Sequence, residues 1–296
     1  MKKTLLALAL TAMTLGTAHA EDTLAKIKAS GSISLGVRDS SALSYTLGND
    51  KYVGFHTEMA ERIIADLSKA AGKKLDIKYT LVTSQNRIPL VQNGTVDLEC
   101  GSTTNNAARQ KDVDFAYTTY VEVVRIAVHA NSGIKSIKDL NGRSVATTTG
   151  TTSVQTLRKN ERAQGIDFKE VYGKDHADSF LLLESGRADA FVMDGSILAK
   201  NIASSKNPGE FKIVGEELSV EPIACMVRKD DAAFLKAVDE SILRQIKDGS
   251  LSKLYDKWFT QPIPPTNRSL NLPMSEATKA AWANPNNKPM EDYAKK

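Results

Sequence analysis

Two stretches far apart in the chain share one pattern, and that pattern limits what the chain can fold into. LVQNGTVDLEC (90–100) and LLESGRADAFV (182–192) each read as the apolar end of a helix, a polar pair, a glycine, two residues, an aspartate and then a strand. Gly94 and Gly186 suit the position just past a helix end, where the backbone turns left-handed and glycine does so without strain. The same helix-to-strand turn in both halves predicts two similar α/β lobes; the rival is coincidence, because such turns are common.

Flanking segments extend this reading. SISLGV (32–37) is a short strand, and TEMAERIIADLSKAAGKK (57–74) is a helix with Met59, Ile63, Ile64, Leu67 and Ala70 on one face. Thr57 is placed to cap that helix and Gly72 to stop it. LDIKYTLV (75–82), TYVEVVRIAVHA (119–130), Ser144–Thr147 and EPIACMVRKD (221–230) read as strands, followed by the helical AAFLKAVDESILRQIKDG and LSKLYDKWF. After Trp258 the chain is rich in Pro and Asn until a short helical SEATKAAW (275–282), a tail expected to lie along the body with its last residues disordered.

The first twenty residues, MKKTLLALALTAMTLGTAHA, carry Lys2 and Lys3, a short apolar run and a small-x-small ending at Ala18-His19-Ala20, the form of a secretory signal. A membrane anchor is the rival, but the polar stretch from Glu21 onward does not continue the apolar run. Residues 21–296 are therefore expected to be exported and soluble. Removing the two lysines leaves 37 basic against 35 acidic residues, a net charge of about +2, which gives no sign of a nucleic-acid surface.

In an exported chain the two cysteines, Cys100 and Cys225, are expected to join. A metal site or a thiol nucleophile is the alternative. The absence of CxxC spacing and of HExxH among His19, His56, His129 and His176 argues against zinc. If Cys225 bonds Cys100, the chain after 220 returns to the first lobe, and the second lobe is an insertion reached by two crossing strands.

Polar residues gather at the predicted strand ends, where ligands bind in open α/β sheets. Arg38 follows SISLGV, Ser102 and Thr104 follow VDLEC, Thr151 and Thr152 follow RSVAT, and Asp194 follows ADAFVM. TTTGTTS (147–153) puts glycine among hydroxyls just before a helix, a turn able to hold an anion or to serve as an ordinary cap. It lacks the Lys of a nucleotide-binding P-loop. Arg87 opens a short helix near Ser84; its planar fork suits a carboxylate, although an isolated Arg is more often a solvated charge. Asp194 either holds an ammonium group or caps the helix SILAKNI.

With these residues in view, the chain resembles the periplasmic solute-binding proteins of polar amino-acid ABC transporters (solute-binding protein family 3), and most of all their glutamate/aspartate binders. The resemblance covers nearly all of 22–275 and is carried by TSQNRIPLVQNGTVDLECGSTTNN, TGTTS, KDHADSF, LESGRADAFVMD, CMVRKDD and DKWFTQPIPP. It implies a two-lobed periplasmic binding protein of type II with a two-strand hinge, closing over one amino acid with high affinity and without a cofactor, catalytic residue or metal. Its partners would be L-glutamate or L-aspartate and a membrane ABC permease; no nucleic acid is expected, and the protein would be a monomer of the periplasm.

By the same resemblance Arg87 holds the α-carboxylate, Ser102, Thr104 and Thr152 share the carboxylate and the amino group, and Asp194 binds the α-ammonium. Arg38, Ser84 and His176 take the side-chain carboxylate, with His176 protonated in the bound state. The pattern is departed from at Val37, where a His is expected, and at Gly195, where a second Asp is expected. The chain divides into a signal peptide (1–20), a first lobe (21–125), a second lobe (126–220), a return to the first (221–265) and a tail (266–296). The alternatives are a dehydratase-like periplasmic enzyme on the same scaffold, with Glu99 or His176 as its acid or base, and an amino-acid-sensing module.

Overall fold

Each glycine of the repeated turn takes up the backbone that its place after a helix demands. In the computed structural model, which describes residues 22–293, Gly94 and Gly186 have φ of 75° and 70°. Their N–H groups donate to Val91 O and Leu183 O, and two residues on, Val96 N and Ala188 N donate to Leu90 O and Leu182 O. The aspartates complete the match. Asp97 N donates to Ser34 O while its carboxylate accepts from Ser34 N at 2.9 Å, and Asp189 stands in the same relation to Ser144, accepting from its N at 2.9 Å. Each aspartate thus ties its strand to the start of a neighbouring parallel strand.

The strands form two five-stranded sheets. In the first, Asp76–Leu81 (β4), Ser32–Val37 (β1), Leu98–Glu99 (β5), Met226–Arg228 (β12) and Val113–Phe115 (β6) lie in that order. β1 is parallel to β4 and β5, and β12 runs antiparallel to β5 and β6. In the second, the order is Phe211–Ile223 (β11), Tyr120–His129 (β7), Ala190–Asp194 (β10), Ser144–Thr148 (β8) and Lys169–Gly173 (β9). β7 is antiparallel to both β11 and β10, and β8 is parallel to β10 and β9. Tyr45–Thr46 (β2) and Tyr52–Val53 (β3) make a small hairpin.

Thr23–Ser30 (α1), Phe55–Ala71 (α2), Arg87–Gln92 (α3), Ala232–Lys247 (α7) and Ser250–Tyr255 (α8) accompany the first sheet. Thr152–Gln164 (α4), His176–Glu184 (α5) and Gly195–Ser204 (α6) accompany the second. The first lobe has one large apolar cluster that includes Leu35, Ile63, Phe234 and Trp258, and a smaller one that includes Val91, Val96, Phe115 and Met226. The second lobe has a smaller cluster on each face of its sheet, because alternate residues of β7 point opposite ways: Val124, Ile126 and Val128 into one, Ala127 into the other. Burying side chains of this size contributes roughly 1.5–3 kcal/mol each.

Two expectations need correction. Thr57 does not cap α2: the helix begins at Phe55 and Gly54 takes the cap position with φ of 131°. A Cβ on Gly54 would stand 2.6 Å from Leu43 O, so only glycine fits there, and the Thr57 hydroxyl donates instead to Ser44 Oγ at 3.0 Å. EPIACMVRKD is not one strand. Its first three residues end β11, which starts ten residues earlier at Phe211; Ala224 and Cys225 break the run before β12.

The long strands β7 and β11 cross between the lobes, and Cys100 and Cys225 are joined by a disulfide where the chain re-enters the first sheet. The segment after residue 265 includes Glu276–Ala283 (α9) and runs along β7. Trp282 Nε1 donates to Thr119 O at 2.9 Å, and Val121 N donates to Thr278 Oγ1 at 3.0 Å. The expected signal sequence and the chain's last three residues lie outside the described residues. Among the described residues no helix is long and apolar enough to cross a membrane.

Candidate functional site

Arg38 stands directly after β1, and its side chain is almost wholly withdrawn from solvent, at 2% exposure. Its Nη2 donates to Ser84 Oγ at 2.9 Å and to His176 Nε2 at 3.2 Å, while Nη1 has no hydrogen-bond partner among the described residues. Arg87, the first residue of α3, is equally buried. Its Nη1 donates to Ser102 O at 3.3 Å, and its Nε is unpartnered. Burial disfavours the charge on both guanidiniums, and at Arg38 the nearness of Arg87 adds to it. Two mutually repelling buried cations with open donors make a site suited to anions.

Behind them lies Glu99, fully buried at the end of β5, accepting from Thr103 Oγ1 at 2.8 Å. Burial raises its carboxyl and the charges of Arg87 and Arg38 act to lower it. Arg38 and Glu99 pack closely: a Cβ on Gly101 would sit 2.4 Å from both Arg38 Cγ and Glu99 Oε1.

From the second lobe come Thr152, at the start of α4, His176, at the start of α5, and Asp194, at the end of β10. His176 Nδ1 faces Thr148 Oγ1 at 3.0 Å. Its basicity falls well below the usual histidine range, first through burial and then through the charges of Arg38 and Arg87. Asp194 occupies the cap position of α6 but makes no side-chain capping bond, so the capping alternative drops away. Its carboxyl is pushed well up, mainly by burial and then by Glu122 and Glu221.

The lobes meet here. Besides the Arg38 to His176 contact, Thr104 Oγ1 and Thr152 Oγ1 are 3.3 Å apart. Arg109 donates to Thr104 O at 2.8 Å and to Gly150 O at 3.4 Å. Gly150 has φ of 81°, and a Cβ there would press to 3.0 Å on the Ser84 carbonyl. Ser84, Arg87, Ser102, Thr104, Thr152, His176 and Asp194 line one narrow cavity, and Arg38 joins them through Ser84 and His176. All eight predicted residues are therefore brought together. A wider, open groove beside Tyr52, Glu61 and Lys257 has no comparable set of buried charges.

Sequence reasoning missed Arg109, Glu122 and Glu221, and weighed Glu99 only as an acid or base for an enzyme. Glu122 and Glu221 are opposite each other in the β7 and β11 pairing, both buried. Glu122 accepts from Ser196 Oγ and from Val123 N, and burial raises its carboxyl to about 7. Glu221 accepts from Thr104 and Thr152. The signal that could have found them is a single acid inside an apolar strand run, in YVEVV and in SVEPIAC. Among the described residues no group of three or more His, Cys, Asp or Glu side chains is placed to hold a metal ion.

Two α/β lobes, joined by a pair of crossing strands and closed on a small cavity lined by Arg87 and Asp194, with Arg38 buried beside it, define a type II two-lobed binding protein. The chain belongs to the bacterial extracellular solute-binding proteins, family 3, whose pattern matches residues 33–261. It is 45% identical to an L-glutamate/L-aspartate-binding protein of Pseudomonas aeruginosa over 91% of this chain and 90% of that one. It is 42% identical to the glutamate/aspartate import solute-binding protein of Escherichia coli over 96% of each. Among solved structures, a cysteine-binding protein of Campylobacter jejuni superposes with a TM-score of 0.71 at 25% identity, covering 80% of this chain and 92% of that one. These relatives are solute-binding proteins rather than enzymes.

Proposed function

We propose that this chain binds L-glutamate or L-aspartate with high affinity in the periplasm, by closure of its two lobes, and delivers the ligand to a membrane ABC importer as a monomer. One observation carries the reading: two buried arginines and one buried aspartate converge on a single cavity. A dicarboxylic amino acid carries the inverse set, two carboxylates and one ammonium, and each buried charge needs such a partner once water is excluded.

In this assignment Arg87 and Ser102 hold the α-carboxylate and Asp194 the α-ammonium, with Thr104 and Thr152 beside them. Arg38, Ser84 and His176 receive the side-chain carboxylate. Among the described residues, 22–125 and 221–265 make the first lobe, 126–220 the second, and 266–293 a tail bound across the hinge. Contacts drawn from both lobes favour the closed state, which is the form a transporter would recognise. The names of the two relatives above support the acidic amino acids over other ligands. Calorimetric titration with acidic, amide and basic amino acids tests the proposal.

A further inference from the structure

We infer that Glu221 is a positioning residue that turns the hydroxyls of Thr104 and Thr152 into acceptors for the ligand's α-ammonium group. The inference rests on the reading of the ligand as an α-amino acid. Glu221 is fully buried in β11 and is not among the residues that line the cavity. Its Oε2 accepts from Thr104 Oγ1 at 2.5 Å and from Thr152 Oγ1 at 2.7 Å, while Oε1 accepts from Ser219 Oγ at 2.8 Å.

A threonine hydroxyl has one hydrogen and two lone pairs. When that hydrogen goes to Glu221, the hydroxyl presents only lone pairs to anything else. Thr104 comes from the first lobe and Thr152 from the second, so the cavity gains one acceptor oxygen from each side, 3.3 Å apart. Asp194 lines the same cavity and adds a carboxylate. An ammonium group has three hydrogens to give and finds these three acceptors; a carboxylate has none and would be repelled by hydroxyls so turned. This divides the earlier assignment: the two threonines serve the amino group, and the α-carboxylate is left to Arg87 and the Ser102 region.

The test is a double-mutant cycle on L-glutamate affinity using the full chain, with Thr104→Val, Glu221→Leu and the double variant. Thermal melts of the ligand-free proteins check folding. Each single change should weaken binding by roughly 10-fold or more, and the double variant should lose several-fold less than the product of the two losses, because Glu221 acts through the hydroxyl. If Glu221→Leu does not melt cooperatively, Glu221→Gln replaces it. An amide oxygen accepts less strongly than a carboxylate, and the same overlap is expected at smaller size. Losses that multiply fully, or a wild-type affinity in the Glu221 variant used, would overturn the inference. Absence of binding by the wild type would instead overturn the amino-acid reading on which it rests.

Discussion

Arg38 Nη2 and His176 Nε2 lie 3.2 Å apart across the space between the lobes. A guanidinium only donates, so Nε2 must accept, and the ring proton belongs on Nδ1, facing Thr148 Oγ1 at 3.0 Å. His176 is thus neutral in this ligand-free arrangement, whereas the sequence-based expectation of a protonated ring concerns the bound state, where a ligand carboxylate would lie beside it. Burial and two nearby arginines favour the neutral form.

The His176 ring should therefore stay in its neutral Nδ1–H form from about pH 5.5 to 8.5. Ring nitrogen NMR shifts of the ligand-free protein would read this directly. A ring carrying protons on both nitrogens near pH 6 would contradict it.

The two arginines should separate by ligand. Arg87→Ala should remove binding of every amino acid, because all share the α-carboxylate. Arg38→Ala should weaken L-glutamate by roughly 30-fold or more while changing L-glutamine much less. Equal losses for the two ligands would show that Arg38 does not hold the side-chain carboxylate.

Glu122 gives a pH dependence whose sign follows from its environment. Burial raises its carboxyl to about 7, so between the unfolded value near 4.5 and 7 the folded chain holds a proton that the unfolded chain has lost. Its contribution is fully present below that unfolded value and is lost as pH rises through about 7. Relative to Glu122→Gln, the wild type should lose on the order of 2–3 kcal/mol of stability between about pH 5 and 8 in urea unfolding. A stability difference that does not change with pH would contradict this.

The disulfide joins residues separated by 125 positions and anchors the return of the chain into the first sheet. Replacing both cysteines by alanine should lower unfolding stability by about 2–5 kcal/mol and leave ligand affinity within a few-fold, since neither sulfur lines the cavity. An unchanged urea midpoint would argue against that role.

Much of this architecture was legible in the residues. The repeated turn worked as a guide because glycine and aspartate there answer to backbone demands that are local: a positive φ, and an unpaired N–H at the start of the next strand. Arg38, Thr152 and Asp194 were visible because each stands at or just after the end of a strand. Thr57 misled because the close approach of Leu43 to Gly54, twelve positions earlier in the chain than the helix's first turn, decides where α2 starts. Glu122 and Glu221 were hidden because alternation along a strand reads a charged residue as facing solvent. Only the pairing of β7 with β11 turns both inward, a relation between segments nearly a hundred residues apart.

The measurement that bears most directly on the central claim is a calorimetric titration of the purified protein with L-glutamate, L-aspartate, L-glutamine and L-lysine. The account predicts saturable binding of one acidic amino acid per chain, weaker binding of glutamine, and none of lysine. No heat and no thermal stabilisation with either acidic amino acid, or a preference for lysine, would contradict it.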